Sequence, residues 1–395
     1  MCAGPLTFQK MEVEIERILP GGVGLAHAEE MTLFVSLAAP GDLVRVEIDR
    51  IRGKIAFASI KEILKPSPLR VEPPCPYFGR CGGCDFQQLG YEDQLEAKLE
   101  IIRDCLHRIA RIEHPPKIKI HPSPAPWTYR SRANWQVDAA LKQLGYFERG
   151  SRRICDVEYC AVLEPELQQT LQALRETLPD LPHGLIDISA TVGDEGVSVK
   201  PPLAGLETVE VSRRIGAETY FFSAAAFFQT NYGLVEPLVR AAIAGDTGEV
   251  AIDLYSGVGL FTIALGRRFK HVTAIESNSI STSFARKNIR NAQLTNVEIV
   301  TANVAHWFGR QTASPGPVDL ILLDPPRIGA ENSVISGILN LRAGRISYVS
   351  CDPATLARDL KKLIAGGYLV DSIQAFDMFP QTHHIETVTR LVRTG

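Results

Sequence analysis

No apolar run in this 395-residue chain approaches the roughly 18 residues that a membrane-spanning helix needs, which argues against a helical membrane protein. Met1 to Met11 carries no basic region followed by an apolar one, so a cytoplasmic protein is expected. Internal repeats and low-complexity segments are missing, which leaves ordinary globular domains, two or three at this length. An excess of basic charge is missing too. With 42 Lys and Arg against 45 Asp and Glu, the net charge is −3 and the pI near 6.3, unlike a protein that coats nucleic acid indiscriminately. Eight cysteines without a secretory signal point to thiol, metal or catalytic use rather than a disulfide framework.

Basic character is local instead. Between Lys98 and Arg153 there are twelve Lys or Arg and five acids, interleaved with Trp127, Tyr129, Trp135 and Tyr146. These rings are candidate base-stacking surfaces, or else core aromatics beneath a solvated face.

Residues 8 to 64 alternate apolar and polar positions in short runs punctuated by Pro20-Gly21-Gly22 and Pro40-Gly41-Asp42, the pattern of a small β-barrel. Prolines at 66, 68, 73, 74 and 76 mark a linker, and apolar residues Leu95, Leu99, Ile102, Leu106 and Ile109 predict a helix from about 91 to 111. A second proline-rich patch, Pro115 to Pro126, ends it. One helix is expected over 165 to 178 in the mixed region that follows. From Glu249 onward, strand and helix patterns alternate, which implies a doubly wound parallel sheet of seven strands. The expected domains are 1–64, 65–215 and 216–395.

Asp253-Leu254-Tyr255-Ser256-Gly257-Val258-Gly259 sits where the first parallel strand gives way to a helix. A dinucleotide fingerprint would need a third small residue where Thr262 stands, so a nucleoside cofactor without pyrophosphate is expected. Glu276, at the end of the next strand, suits the ribose hydroxyls. Asn303 suits the adenine edge, and Asp324-Pro325-Pro326-Arg327 adds a carboxylate at the same sheet edge.

Ser350-Cys351-Asp352-Pro353 follows an apolar strand and Glu386 ends the run Pro380-Gln381-Thr382-His383-His384-Ile385. A thiol and a carboxylate there offer a nucleophile and a base. Asp352 reads as a helix N-cap and Pro353 as the first helical residue, which places the Cys351 sulfur by the positive end of a helix dipole. That effect favours the thiolate by only about 0.3 to 1 kcal/mol. Cys75, Cys81 and Cys84 form a separate group with Gly82 and Gly83 between them, and either Cys155 or Cys160 can complete it. From spacing alone, zinc and an iron-sulfur cluster fit equally.

Together, Asp253 to Gly259, Asp324 to Arg327, Ser350 to Pro353 and the Pro, Thr, His, Glu pattern at 380, 382, 384 and 386 resemble the S-adenosylmethionine (SAM)-dependent RNA uracil-C5 methyltransferases of the TrmA/RumA type. The likeness covers nearly the whole chain, including Phe228-Gln229-Thr230-Asn231. It implies a Rossmann-like SAM methyltransferase domain, an N-terminal OB-like TRAM barrel and a small α+β iron-sulfur domain. By resemblance, Cys351 is the nucleophile and Glu386 the base, while Gln229, Tyr255, Gly257, Glu276, Asn303 and Asp324 hold SAM. Cys75, Cys81, Cys84 and Cys160 would bind a [4Fe-4S] cluster. Two positions depart from the family pattern: Leu260 replaces a frequent asparagine near the cofactor, and Ser256 replaces the usual cysteine. The implied partner is RNA, ribosomal more than transfer RNA, with no DNA and no membrane, acted on by a monomer. Competing expectations are an RNA cytosine-C5 methyltransferase, whose usual Pro-Cys pair is absent at Cys351, and a non-catalytic iron-sulfur RNA-binding protein.

Overall fold

The computed structural model describes residues 10–28, 30–178, 184–203, 205–207, 209–310 and 316–394. Cys2 and the first nine residues of the expected 1–64 unit lie outside them.

Six strands, β1 (Lys10–Glu14), β2 (Arg17–Leu19), β3 (Val23–Ala28), β4 (Met31–Ser36), β5 (Leu43–Arg52) and β6 (Ile55–Lys65), form one sheet in the order β1-β5-β6-β4-β3-β2. Alternation puts Val13, Leu33, Val35, Val44, Val46, Ala56 and Ala58 into a common core. Bulges in the β5–β6 pairing bend the sheet, and β1 packs across it against β3.

Helix α1 (Tyr91–Cys105) continues as a wider π-turn over Leu106–Ala110 and stops at Arg111, whose φ is +62°. Its apolar face, with Ile101, Ile102 and Leu106, shares a core with Ile252, Leu323 and Leu360 of the C-terminal sheet and its helices. Next comes the short strand β7 (Lys119–His121). Strands β8 (Arg132–Asp138), β9 (Gln143–Phe147) and β10 (Ile154–Asp156) precede α2 (Pro165–Thr177), and β11 (Leu185–Gly193) and β12 (Gly196–Lys200) follow it. They build an antiparallel sheet, β10-β9-β8-β11-β12, on which α2 buries Leu167, Leu171 and Leu174. Trp135 is fully buried in this core and Tyr129 is buried as well, so neither offers a stacking surface. The hairpin of β13 (Val211–Ile215) and β14 (Glu218–Phe222) straddles the expected boundary at 215.

The C-terminal part runs α3 (Tyr232–Ile243), β15 (Gly248–Leu254), α4 (Leu260–Gly266), β16 (Phe269–Glu276), α5 (Ser279–Asn291), β17 (Val297–Thr301), α6 (Val304–Arg310), β18 (Leu320–Leu323), α7 (Asn332–Leu341), β19 (Arg345–Ser350), α8 (Pro353–Ala365), β20 (Tyr368–Phe376) and β21 (Glu386–Arg393). The sheet order is β17-β16-β15-β18-β19-β21-β20-β7. Strands β15 to β19 are parallel to one another, whereas β21 is antiparallel to both neighbours. Eight strands replace the expected seven because β7, inside the second proline-rich patch, pairs with β20. Proline is tolerated at an edge that needs few donors. His121 fixes the register by stacking on Phe376 at 4.4 Å between centroids and by a 2.9 Å contact from Nε2 to Gln374 Oε1.

Candidate active site

Strand ends converge because every parallel strand from β15 to β19 points its C-terminal end to the same edge of the sheet. After β15 the backbone turns sharply: Tyr255, Gly257 and Gly259 have φ of +65°, +56° and +92°. A Cβ on Gly257 would meet nothing within 4 Å, so the glycine serves the backbone conformation rather than crowding. Glu276 ties this turn to the end of β16, since Oε2 accepts from Gly257 N–H at 3.1 Å and Oε1 from Asn278 N–H at 2.7 Å. Asn278 in turn caps α5, accepting from the backbone N–H of Ile280 and Ser281. Asn303 caps the next helix start through His306 N–H at 3.1 Å.

One cleft of about 940 Å³ opens over these turns and is lined by Gln229, Tyr255, Gly257, Glu276, Asn303, Asp324, Cys351 and Glu386. All eight residues expected to carry cofactor or chemistry therefore share one space. Cys351 follows β19, and Asp352 caps α8 by accepting from Thr355 N–H at 2.7 Å with Pro353 in the first turn, as expected. Glu386 begins β21 beside it, 4% exposed, with Oε1 lacking a hydrogen-bond partner. Burial, followed by the charge of Asp324, raises its carboxyl above the ordinary range, while Arg327 opposes the rise. Burial also pushes Asp324 up to about 7.

The expected dipole activation of Cys351 does not prevail. Burial, then the charges of Glu386 and Asp324, push the thiol up to about 12, and Arg327 only partly offsets them. Loss of hydration in a cleft with two carboxylates outweighs a helix terminus worth about 0.3 to 1 kcal/mol.

Asp253, directly below the turn, is fully buried. Its Oδ2 accepts from Thr262 Oγ1 at 2.5 Å and its Oδ1 has no partner. Desolvation, with Asp324 and Glu276 nearby, pushes it up to about 7.

A second, smaller cavity is lined by Cys75, Cys81, Cys84 and Cys160, with Tyr77, Arg130 and Tyr146. Cys155 is not on it. That sulfur is buried and accepts from Arg80 Nε at 3.2 Å. Gly83, Arg130 and Tyr146 line both the cysteine cavity and the large cleft, so the two spaces adjoin.

A family model described as tRNA (Uracil-5-)-methyltransferase matches residues 317–394, the stretch that holds Cys351 and Glu386. A second, described as Conserved hypothetical protein 95, matches residues 239–341. The 23S rRNA (uracil(1939)-C(5))-methyltransferase RlmD of Vibrio parahaemolyticus is 30% identical over 97% of this chain and 96% of its own length. The chain belongs to the RNA uracil-C5 methyltransferase family. An RNA methyltransferase of Thermosynechococcus vestitus is also 30% identical, over 96% of this chain and 97% of its own. Among solved structures, the Pyrococcus abyssi tRNA (uracil-54, C5)-methyltransferase in complex with S-adenosyl-L-homocysteine superposes with a TM-score of 0.74 at 26% identity, covering 97% of this chain and all of that one. Family membership makes this a SAM-dependent RNA methyltransferase with a Rossmann-like sheet.

Several residues of the methyltransferase cleft were given no role from the sequence. His384 lines it and is held neutral: burial, then His383 and Arg327, bring its imidazole down to about 3. Arg132 donates to the carbonyls of Ala226 and Ala224 at 2.8 and 2.9 Å, shaping the loop before Gln229. Phe227 and Ile328, 56% and 71% exposed, line the same cleft. The basic segment from 98 to 153 was a signal for Arg130 and Arg132, but nothing in a linear pattern separated them from its other ten cations.

Proposed function

We propose that this chain methylates carbon 5 of a uridine in ribosomal RNA through a covalent bond from Cys351 to carbon 6. The observation that carries the reading is the shared cleft: Cys351 and Glu386 face the same space as the Asp253 to Gly259 turn. Carbon 5 of uracil is a poor nucleophile, and thiolate addition to carbon 6 pushes electrons onto carbon 5 and the 4-oxygen. Bound SAM supplies the methyl group as an electrophile. The residues of the chain do the rest. Cys351 loses its proton and forms the carbon–sulfur bond. Once carbon 5 carries the methyl group, Glu386 removes the remaining proton there, the 5,6 double bond re-forms and the thiolate departs. A base worth about 10² to 10⁴ fold in rate must be strong enough to take a carbon-bound proton, which a carboxyl raised by burial favours.

Gln229, Tyr255, Gly257, Glu276, Asn303 and Asp324 are assigned to SAM, on the strength of their common lining of the cleft. Asp253 supports the turn from beneath, through Thr262. Ribosomal RNA as substrate is favoured by the Vibrio relative, whose name gives 23S rRNA; the archaeal structure bears a tRNA name. The assigned domains are a TRAM-like unit over 1–64, a cysteine-bearing unit over 65–215 and the catalytic unit over 216–395.

For the cysteine cavity, four soft thiols lining one space suit an iron-sulfur cluster. Among the described residues no group of three or more His, Cys, Asp or Glu is arranged to hold a metal ion, so the reading rests on the shared cavity and the thiol chemistry. Cys75, Cys81, Cys84 and Cys160 would hold the cluster, whose full set of protein ligands leaves it a structural or RNA-positioning part.

Incubation of the purified protein with labelled SAM and unmodified 23S rRNA or tRNA tests the reading. Label in 23S rRNA as 5-methyluridine is expected. Label in tRNA alone would move the substrate, and label in neither would leave a binding protein.

A further inference from the structure

The segment from Asp377 to Ile385 delivers Glu386 to the cleft, yet many of its polar contacts run to residues more than a hundred positions before β15 in the chain. Lys98 Nζ reaches Asp377 Oδ1 at 2.5 Å and donates to Phe379 O at 3.1 Å. Tyr129 donates its hydroxyl to Pro380 O at 2.9 Å. The centre of the segment is Gln381, 2% exposed, with φ at +69°. A residue with a side chain rests in that left-handed region only when its surroundings hold it there.

Gln94 of α1 supplies that hold. Its Oε1 accepts from Gln381 N–H at 3.0 Å, and its Nε2 donates to Gln381 Oε1 at 3.0 Å and to Leu89 O at 3.0 Å. On the other side, Gln381 O accepts from the backbone N–H of Asp85 and Phe86 at 3.1 and 3.0 Å. Two residues on, His383 gives its N–H to Asp85 Oδ1 at 2.8 Å and packs so closely on Gly22 that a Cβ there would lie 2.8 Å from the His383 Cβ. Gln94 is 1% exposed and does not line the cleft.

We propose that Gln94 is a positioning residue for proton removal at carbon 5, acting through Gln381 on Glu386. This rests on the reading of Glu386 as the base. Gln94 bonds to the point of this segment where the backbone is left-handed, Gln381, five residues before Glu386. Without its two hydrogen bonds to Gln381, the segment can relax and carry the carboxylate away from carbon 5. Cys351 arrives on β19 and is not carried by that segment, so adduct formation survives while its resolution slows.

The test compares Gln94→Met, of similar length but without hydrogen bonds, with Glu386→Gln and the unaltered protein. For Gln94→Met, kcat should fall roughly 10- to 100-fold, the range that misplacement by about an ångström brings. KM for RNA and SAM affinity should hold, and a protein–RNA adduct should accumulate on a denaturing gel as it does for Glu386→Gln. Unchanged kcat, or a lower kcat without adduct while Glu386→Gln yields one, overturns the role of Gln94 and leaves the base in place. Normal turnover without adduct in Glu386→Gln removes the base itself. Should Gln94→Met not fold, Gln381→Asn tolerates the left-handed backbone, keeps the main-chain bonds and is too short to meet Gln94 Nε2. A smaller rise in adduct is expected there, and no rise overturns the proposal.

Discussion

Lys98 and Asp377 form an ion pair with both side chains at 0% exposure, joining α1 to the end of β20. The pair lies at the root of the segment that leads to Glu386, so a stabilising contact between distant parts of the chain is also a geometric constraint on the site.

Removal of one partner leaves a buried charge alone, which costs about 3–5 kcal/mol, whereas replacement of both by apolar residues is often neutral. Lys98→Met should therefore lower the denaturant midpoint sharply, and Lys98→Met with Asp377→Leu should recover most of the loss. Equal destabilisation in the single and double variants would contradict this account.

For Cys351, a thiol raised to about 12 is protonated in the free protein at neutral pH. The thiolate fraction, and with it alkylation of the Cys351 peptide measured by mass spectrometry, should rise about tenfold per pH unit from roughly pH 7 to 9 without levelling. A plateau near neutrality would show a thiol already ionised before substrates arrive. Cys351→Ala should abolish methyl transfer and leave SAM affinity within about twofold, because the sulfur acts on the base.

Asp253 and Asp324 stand at about 7 in the fold against about 3.9 when unfolded. Between those values the folded chain keeps protons that the unfolded chain has lost. Stability of the SAM-free protein therefore falls as pH rises from about 4 to 7, by up to about 1.4 kcal/mol per pH unit for each group, and flattens above. Asp253→Asn keeps an acceptor for Thr262 and removes one of these charges. Its melting temperature should exceed that of the unaltered protein by more at pH 8 than at pH 5, and an equal gap at both would rule this out.

The cysteine cavity gives a sharper contrast. Anaerobically purified protein should be brown, Cys160→Ser should lose its iron, and Cys155→Ser should keep it, since only Cys160 lines the cavity. Equal iron in the two variants, or stoichiometric zinc in the unaltered protein, would refute the ligand set.

Legibility followed how local each signal was. The Asp253 to Gly259 turn, the Asp352 cap with Pro353 and the seven longer strands of the sheet were readable because each depends on its own few residues. The eighth strand was not, because three residues between prolines become a strand only when Phe376 and Gln374 offer an edge. Trp135 looked available for stacking in a basic stretch, and it is buried in a core built with α2 and β11, some thirty to fifty residues further along the chain.

The sequence by itself determined which groups are candidates for the chemistry, a thiol, the carboxylates and a turn, because nucleophilicity, acidity and permitted φ belong to residue types and their immediate neighbours. Only the tertiary structure decided how those groups behave. The Cys351 thiol is raised instead of lowered, Cys160 and not Cys155 shares a cavity with three other thiols, and the segment bearing Glu386 is held by Gln94 and Lys98. Those outcomes depend on desolvation and on contacts between residues from about thirty to nearly three hundred positions apart, and these arise only once the chain has folded.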